Sequence, residues 1–190
     1  PFLTNKPGSK SFDTQKVYDN LMNRFKFGGL STPGLYIDQT VMRMCYTHRR
    51  LFAQLALQLI QEKKLGQAAK VLAKAEKEIP EYNVPMNYMS GALEMMKAYM
   101  LLGQKAKAMK IANYVWKDCS QYVGWYESLE NDRFLQSQQD CLMNLQVLYQ
   151  LTEQTAMINP QWTKDHEDQA SILMRTYQAK GGALPQQKAN

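Results

Sequence analysis

Two histidines and three cysteines are all that this 190-residue chain offers for metal ligation or for nucleophile and base chemistry. Cys45, Cys119 and Cys141 are odd in number, widely separated and without a paired spacing. That pattern argues against a disulfide framework and a zinc knuckle, which both need regularly spaced partners. Long hydrophobic runs are missing as well. The best of them, Leu51 to Ile60, is interrupted by Gln54 and Gln58 and falls short of the roughly 20 apolar residues that a membrane span requires. The first residue is Pro1 and not a methionine, and no charged-then-apolar leader follows it, so the chain reads as a trimmed fragment or a processed product.

The net charge of +6 comes mostly from lysines such as Lys63, Lys64, Lys70, Lys74 and Lys77, scattered over segments with helical periodicity. Lysines so placed describe a solvated helix face. Nucleic-acid readers join a basic stripe to arginines or stacking aromatics within a recognisable module. None is present, and nucleic acid is not an expected partner. The hydrophobic content of 45% is enough for a chain of this length to bury a core of its own.

The periodicity is helical throughout. Residues 1–12, with Pro7, Gly8, Ser9 and Ser11, read as a flexible N-terminal segment. Asp13 suits an N-cap, and Val17, Leu21, Met22 and Phe25 predict a first helix that ends before Gly28 and Gly29. Asp38 or Thr40 then caps a long helix running to about Lys63, with Val41, Met44, Cys45, Phe52, Leu55, Leu59 and Ile60 on one face. Two antiparallel hairpins follow from the glycine turns, Phe52–Lys63 with Gln67–Ile79 and Leu93–Leu102 with Lys105–Trp116. Ala68 and Ala108 are equivalent, which sets a period of 40 residues against about 34 for a tetratricopeptide repeat. The loop holding Pro80, Asn83 and Pro85 accounts for the excess.

Beyond Gly124, Ser128 to about Ile158 predicts one helix or two stopped by Pro160. Thr163 is the expected cap of a last helix carrying Ile172, Leu173 and Tyr177, and residues 181–190 read as a flexible tail. The predicted fold is all-α over residues 13–180: about seven helices, with hairpins stacked as a short tetratricopeptide-like α-α superhelix.

The first hairpin follows the tetratricopeptide pattern at Phe52, Leu55, Ala56 and Leu59, then Ala68, Leu72, Ala75 and Pro80. The small alanines permit close helix approach and the proline ends the second helix. The second hairpin keeps Tyr99, Gly103, Ala108 and Ala112 but has Met96 where a small residue is usual. A further likeness lies in the order of several pieces: Tyr18-Asp19-Asn20, Phe25 to Gly29, Leu35-Tyr36-Ile37-Asp38, Asn83-Val84-Pro85 and Asn87-Tyr88. Over roughly Tyr18 to Ala108 this resembles the C-terminal soluble region of a multi-pass membrane family common in Bacteroidetes, whose membrane part is similar to protein O-mannosyltransferases. The resemblance implies an accessory domain on the extracytoplasmic, periplasmic face of a bacterial inner membrane. Any glycosyl transfer would belong to the membrane part.

Several constellations invite chemistry. Cys45 and His48, three apart on a helix, have the spacing of a metal pair or of nucleophile and base, but a third partner is missing; a packed cysteine and a surface histidine is the favoured reading. Glu127, Glu130 and Asp132 beside Trp125 and Tyr126 could hold a sugar or act as paired acids. Carboxylates at a helix start have the same pattern and are the favoured reading. Met42, Met44, Met86, Met89, Met95, Met96 and Met100 read chiefly as core, with some available to an adaptable groove. Asn83 and Pro85 read as cap and first turn of the next helix.

No catalytic residue, metal site or cofactor is expected. The candidate binding residues are Tyr18, Asn83, Tyr88 and Trp125. The expected function is a non-catalytic scaffold for a protein or peptide partner, above all the membrane part of its own longer chain. The competing expectation is a free-standing carbohydrate-binding or glycoside-hydrolysing protein of the cell envelope.

Overall fold

A computed structural model describes residues 13–184. All regular elements among the described residues are helical, and seven of them are α-helices. None is long and apolar enough to cross a membrane. The chain divides into two compact units between Ile111 and Ala112.

In the first unit, α1 (Thr14–Asp19) is capped by Asp13, whose side chain accepts from the Lys16 amide, and continues into one π-type turn, Asn20–Arg24. The Asp38 carboxylate caps α2 (Gln39–Gln61) by accepting from the amides of Thr40 and Val41. Next come α3 (Leu65–Glu78), a short 3-10 helix (Tyr88–Ser90), α4 (Ala92–Leu101) and the start of α5 (Lys105–Ser128).

The 40-residue period is written in the backbone hydrogen bonds. At the end of α2 the Lys64 amide donates to the Leu59 carbonyl at 2.8 Å and the Lys63 amide to Ile60 at 2.9 Å. At the end of α4 the Gln104 amide donates to Tyr99 at 2.9 Å and that of Gly103 to Met100 at 3.0 Å. Both are Schellman closures, which need a left-handed residue at the bend. Gly103 (φ 72°) supplies it without strain, whereas Lys63 (φ 61°) carries a side chain there. The following helices open alike, with the amides of Ala68 and Ala108 donating to Lys64 and Gln104 at 3.1 Å.

Helix α2 packs against both α3 and α4. Phe52, Leu55, Ala56 and Leu59 of α2, Ala68, Val71, Leu72 and Ala75 of α3, and Met95, Met96 and Tyr99 of α4 are all buried. Burial of each large apolar member contributes roughly 1.5–3 kcal/mol. Met96, at the repeat position of Ala56, is fully buried, so the second repeat accepts the larger side chain. Contact is tightest at Gly91. A Cβ there would lie 2.7 Å from the Arg50 Cα and 2.8 Å from its amide nitrogen, and φ is +81°. Ion pairs Lys107–Glu76 and Lys110–Glu81, both 2.7 Å, join the start of α5 to α3 and the loop after it. Exposed pairs of this kind add little.

The second unit holds the rest of α5, α6 (Asn131–Thr155) and α7 (Pro160–Ala179), with α6 packed on α7. Phe134, Cys141, Leu145, Leu148 and Leu151 from α6 and Ala170 and Tyr177 from α7 are buried.

Three local expectations need correction. Helix α5 continues through Gly124 to Ser128 instead of ending near Trp116. Gly124 costs a helix about 1 kcal/mol relative to alanine, and the buried Val115, Cys119 and Val123 on the same helix outweigh it. Thr163 does not cap α7. Asn159 does, accepting from the Trp162 amide at 3.2 Å; Pro160 opens the helix at a position where a missing N–H is harmless, and the Thr163 hydroxyl lies 3.0 Å from that of Thr155 inside the unit. The start of the tail is anchored: the Ala183 amide donates to the Gln138 side chain at 3.0 Å, and its carbonyl accepts from the Tyr177 hydroxyl at 2.9 Å. The flexible ends expected over 1–12 and 185–190 lie outside the described residues.

Two glycine substitutions should therefore act in opposite directions. Gly91→Ala places a methyl group against backbone in a left-handed conformation and should cost about 2–4 kcal/mol. Gly124→Ala meets nothing within 4 Å and should stabilise by about 0.5–1 kcal/mol. Urea denaturation of both variants decides; equal shifts would show that α2 and α4 do not meet backbone to backbone.

Candidate functional site

The sequence-predicted residues fall on α1, which carries Tyr18, on the loop between α3 and α4 in the first unit, which carries Asn83 and Tyr88, and on α5 in the second, which carries Trp125. The loop is organised from beneath by Arg49 of α2. Its side chain is fully buried, and the guanidinium donates to the carbonyls of Ile79 at 3.0 Å, Pro85 at 2.9 Å and Val84. Burial pulls its pKa down to about 10, opposed by Tyr46, Cys45 and Glu81, so it remains a cation at neutral pH. Three carbonyl dipoles compensate the charge where a carboxylate would be usual. Its Nε has no partner among the described residues.

The outer side of the same loop clasps the glycine-rich turn after α1. Asn83 donates through Nδ2 to the carbonyls of Leu30 at 2.7 Å and Thr32 at 2.6 Å, and the Tyr82 hydroxyl donates to Ser31 at 2.6 Å. Asn83 thus has a structural duty, though not the expected one. The cap of the next helical turn is Asn87, which accepts from Met89, is bridged reciprocally by Ser90 and donates to the Tyr46 hydroxyl at 3.0 Å. Pro85 precedes that turn and serves through its carbonyl. Tyr88 is half-buried within the 3-10 helix, and Tyr18 is half-buried on α1. Asn83 and Tyr88 therefore share a loop, while Trp125 belongs to the other unit.

The Cys45–His48 pair is packed. Cys45 is buried, which pushes its thiol pKa up despite Arg49 nearby. His48 donates from Nδ1 to the Met44 carbonyl at 2.8 Å, and its ring stands edge-on to Phe25 and Phe27 with centroids 6.0 and 6.1 Å away. Cys119 and Cys141 are fully buried thiols, both pushed up to about 12 by desolvation. Among the described residues no three His, Cys, Asp or Glu side chains gather as metal ligands.

The acidic trio separates by role. Glu130 is the N-cap residue of α6 and Asp132 lies in its first turn, as a helix start predicts. Glu127 does not belong with them, because α5 extends to Ser128 and places it in that helix's last turn. One Glu127 oxygen is buried without a partner among the described residues, and desolvation raises its pKa to about 7 against the pull of Lys180. The Lys180 ammonium itself donates to the Leu129 carbonyl at 2.7 Å.

Trp125 is 54% exposed and stands edge-on to Tyr126, with ring centroids 4.8 Å apart. It lines an open depression of about 400 Å³ together with Asp118, Gln121 and Tyr122. The last three were not anticipated. Their spacing from Trp125 puts all four on one helix face, a signal hidden by reading α5 as ending before Gly124. Compared with known proteins, the chain matches no family model, no curated protein and no solved structure.

Glu127 yields a test with a definite sign. Its pKa is higher folded than unfolded, so between about pH 4.5 and 7 the native state holds more protons and loses stability as pH rises. Glu127→Gln should be near neutral at pH 4 and stabilising by on the order of 1 kcal/mol at pH 8, after allowance for solvent screening. Denaturation at both pH values checks it; a difference independent of pH would refute a desolvated carboxylate.

Proposed function

We propose that this chain is a non-catalytic interaction module whose first unit docks a polypeptide. The observation that carries the reading is an apolar surface left open at the start of α2. Tyr36 is 89% and Met44 56% exposed, and Leu35, Val41 and Met89 are exposed as well. Val41 and Met44 lie three apart on α2, exposed apolar patches mark contact surfaces, and thioethers adapt to a partner's shape. Met86, Met95 and Met96 are buried, so only part of the methionine set is available to a groove. The resemblance to the soluble region of O-mannosyltransferase-like membrane proteins supports a specific partner, the membrane part of the same longer protein, and an extracytoplasmic setting.

A photo-crosslinking residue placed at Tyr36 or Met44 of the full-length protein should capture its own membrane part or a bound polypeptide. Met44→Asp with Met89→Asp should abolish the crosslink while leaving the helical circular dichroism intact. Capture unaffected by these changes, or glycoside hydrolysis by the purified chain that Glu127→Gln removes, would contradict the proposal.

A further inference from the structure

We propose that the exposed face of α5 bearing Asp118, Gln121, Tyr122 and Trp125 is a binding site for a neutral saccharide, with a pyranose ring stacked on the indole. This is independent of the docking surface on the first unit. The four positions recur at helical spacing, and Val115, Cys119 and Val123 on the adjoining flank of the helix are fully buried. The helix cannot rotate without exposing them, so the face is presented rigidly. Tyr126, edge-on to Trp125, restrains the indole further. Both aromatic residues are about half open to solvent, Trp125 54% and Tyr122 50% exposed.

The chemistry of the lining selects the ligand. A pyranose has a face of C–H groups and a rim of hydroxyls, so it needs an apolar ring beside hydrogen-bonding side chains. Asp118 supplies acceptors only, and Gln121 both accepts and donates. No donor among the described residues engages the Asp118 carboxylate, which is half-buried and whose pKa is raised by desolvation. The lining holds no cation. Residues 112–190 carry 6 Lys and Arg against 9 Asp and Glu, a formal charge of −3, so phosphorylated or acidic sugars are disfavoured. A peptide would ask for a sheet edge or a groove between elements, whereas these side chains all project from one helix.

The test uses the purified chain and three neutral probes, cellotetraose, mannotetraose and chitotetraose, followed by saturation-transfer NMR and tryptophan fluorescence. At least one should bind saturably, with affinity on the order of millimolar as expected for an open site. Trp125→Ala should weaken it at least tenfold and Asp118→Asn several-fold, while Tyr36→Ser in the first unit leaves it unchanged. Both α5 side chains lie at the surface, and circular dichroism verifies that the variants fold. The proposal is overturned if none of the three binds, if binding survives Trp125→Ala, or if a proline-rich peptide and no sugar occupies the face.

Discussion

The buried guanidinium of Arg49 is the constraint on which the first unit depends. A cation taken out of water is costly unless its donors are met, and here the two terminal nitrogens donate to three carbonyls, those of Ile79, Val84 and Pro85, while Nε has no partner among the described residues. Those carbonyls belong to the loop that separates the two hairpins. One side chain thereby fixes where α3 ends and where the approach to α4 begins. The same loop, held from below, uses Asn83 and Tyr82 on its outer side to hold the turn after α1. The backbone contact at Gly91, next to Arg50 on α2, completes this arrangement.

This explains why the repeated helix hairpin has a period of 40 residues. The hairpins keep Ala68 and Ala108 and a left-handed residue at each bend, Lys63 and Gly103, while the additional loop residues provide acceptors for a charge and a clasp for an upstream segment. The loop is therefore part of the core's construction. Its polar residues are occupied by structure, which moves the search for recognition to the open apolar surface of α2 and the aromatic face of α5.

Much of this was legible in the sequence because the rules involved are local. Gly103 marks a left-handed bend, Ala68 and Ala108 mark close helix contacts, and Asp13 and Asp38 cap the helices that follow them. What escaped depended on partners distant in sequence or on compensation. Arg49 stands in a polar stretch with His48 and Arg50, and nothing local distinguishes it as buried. Asn83 finds its acceptors about fifty residues upstream. Gly124 looks like a helix break, but α5, held by the buried Val115, Cys119 and Val123 before it, runs through it, and with that break the face containing Asp118, Gln121, Tyr122 and Trp125 was lost from view. The acidic residues near Trp125 were separable into helix-start and helix-end roles only once the limits of α5 were known.

The first unit depends most heavily on Arg49, and replacing that residue tests the dependence directly. Arg49→Met retains the volume of the stem but removes every donor from the three carbonyls. Urea denaturation combined with amide hydrogen exchange should show a loss of about 3–5 kcal/mol, with faster exchange concentrated in residues 79–87 and in the turn of residues 28–34 that Asn83 holds. A variant as stable as the parent, with exchange in both segments unchanged, would contradict the claim that this buried cation organises the unit.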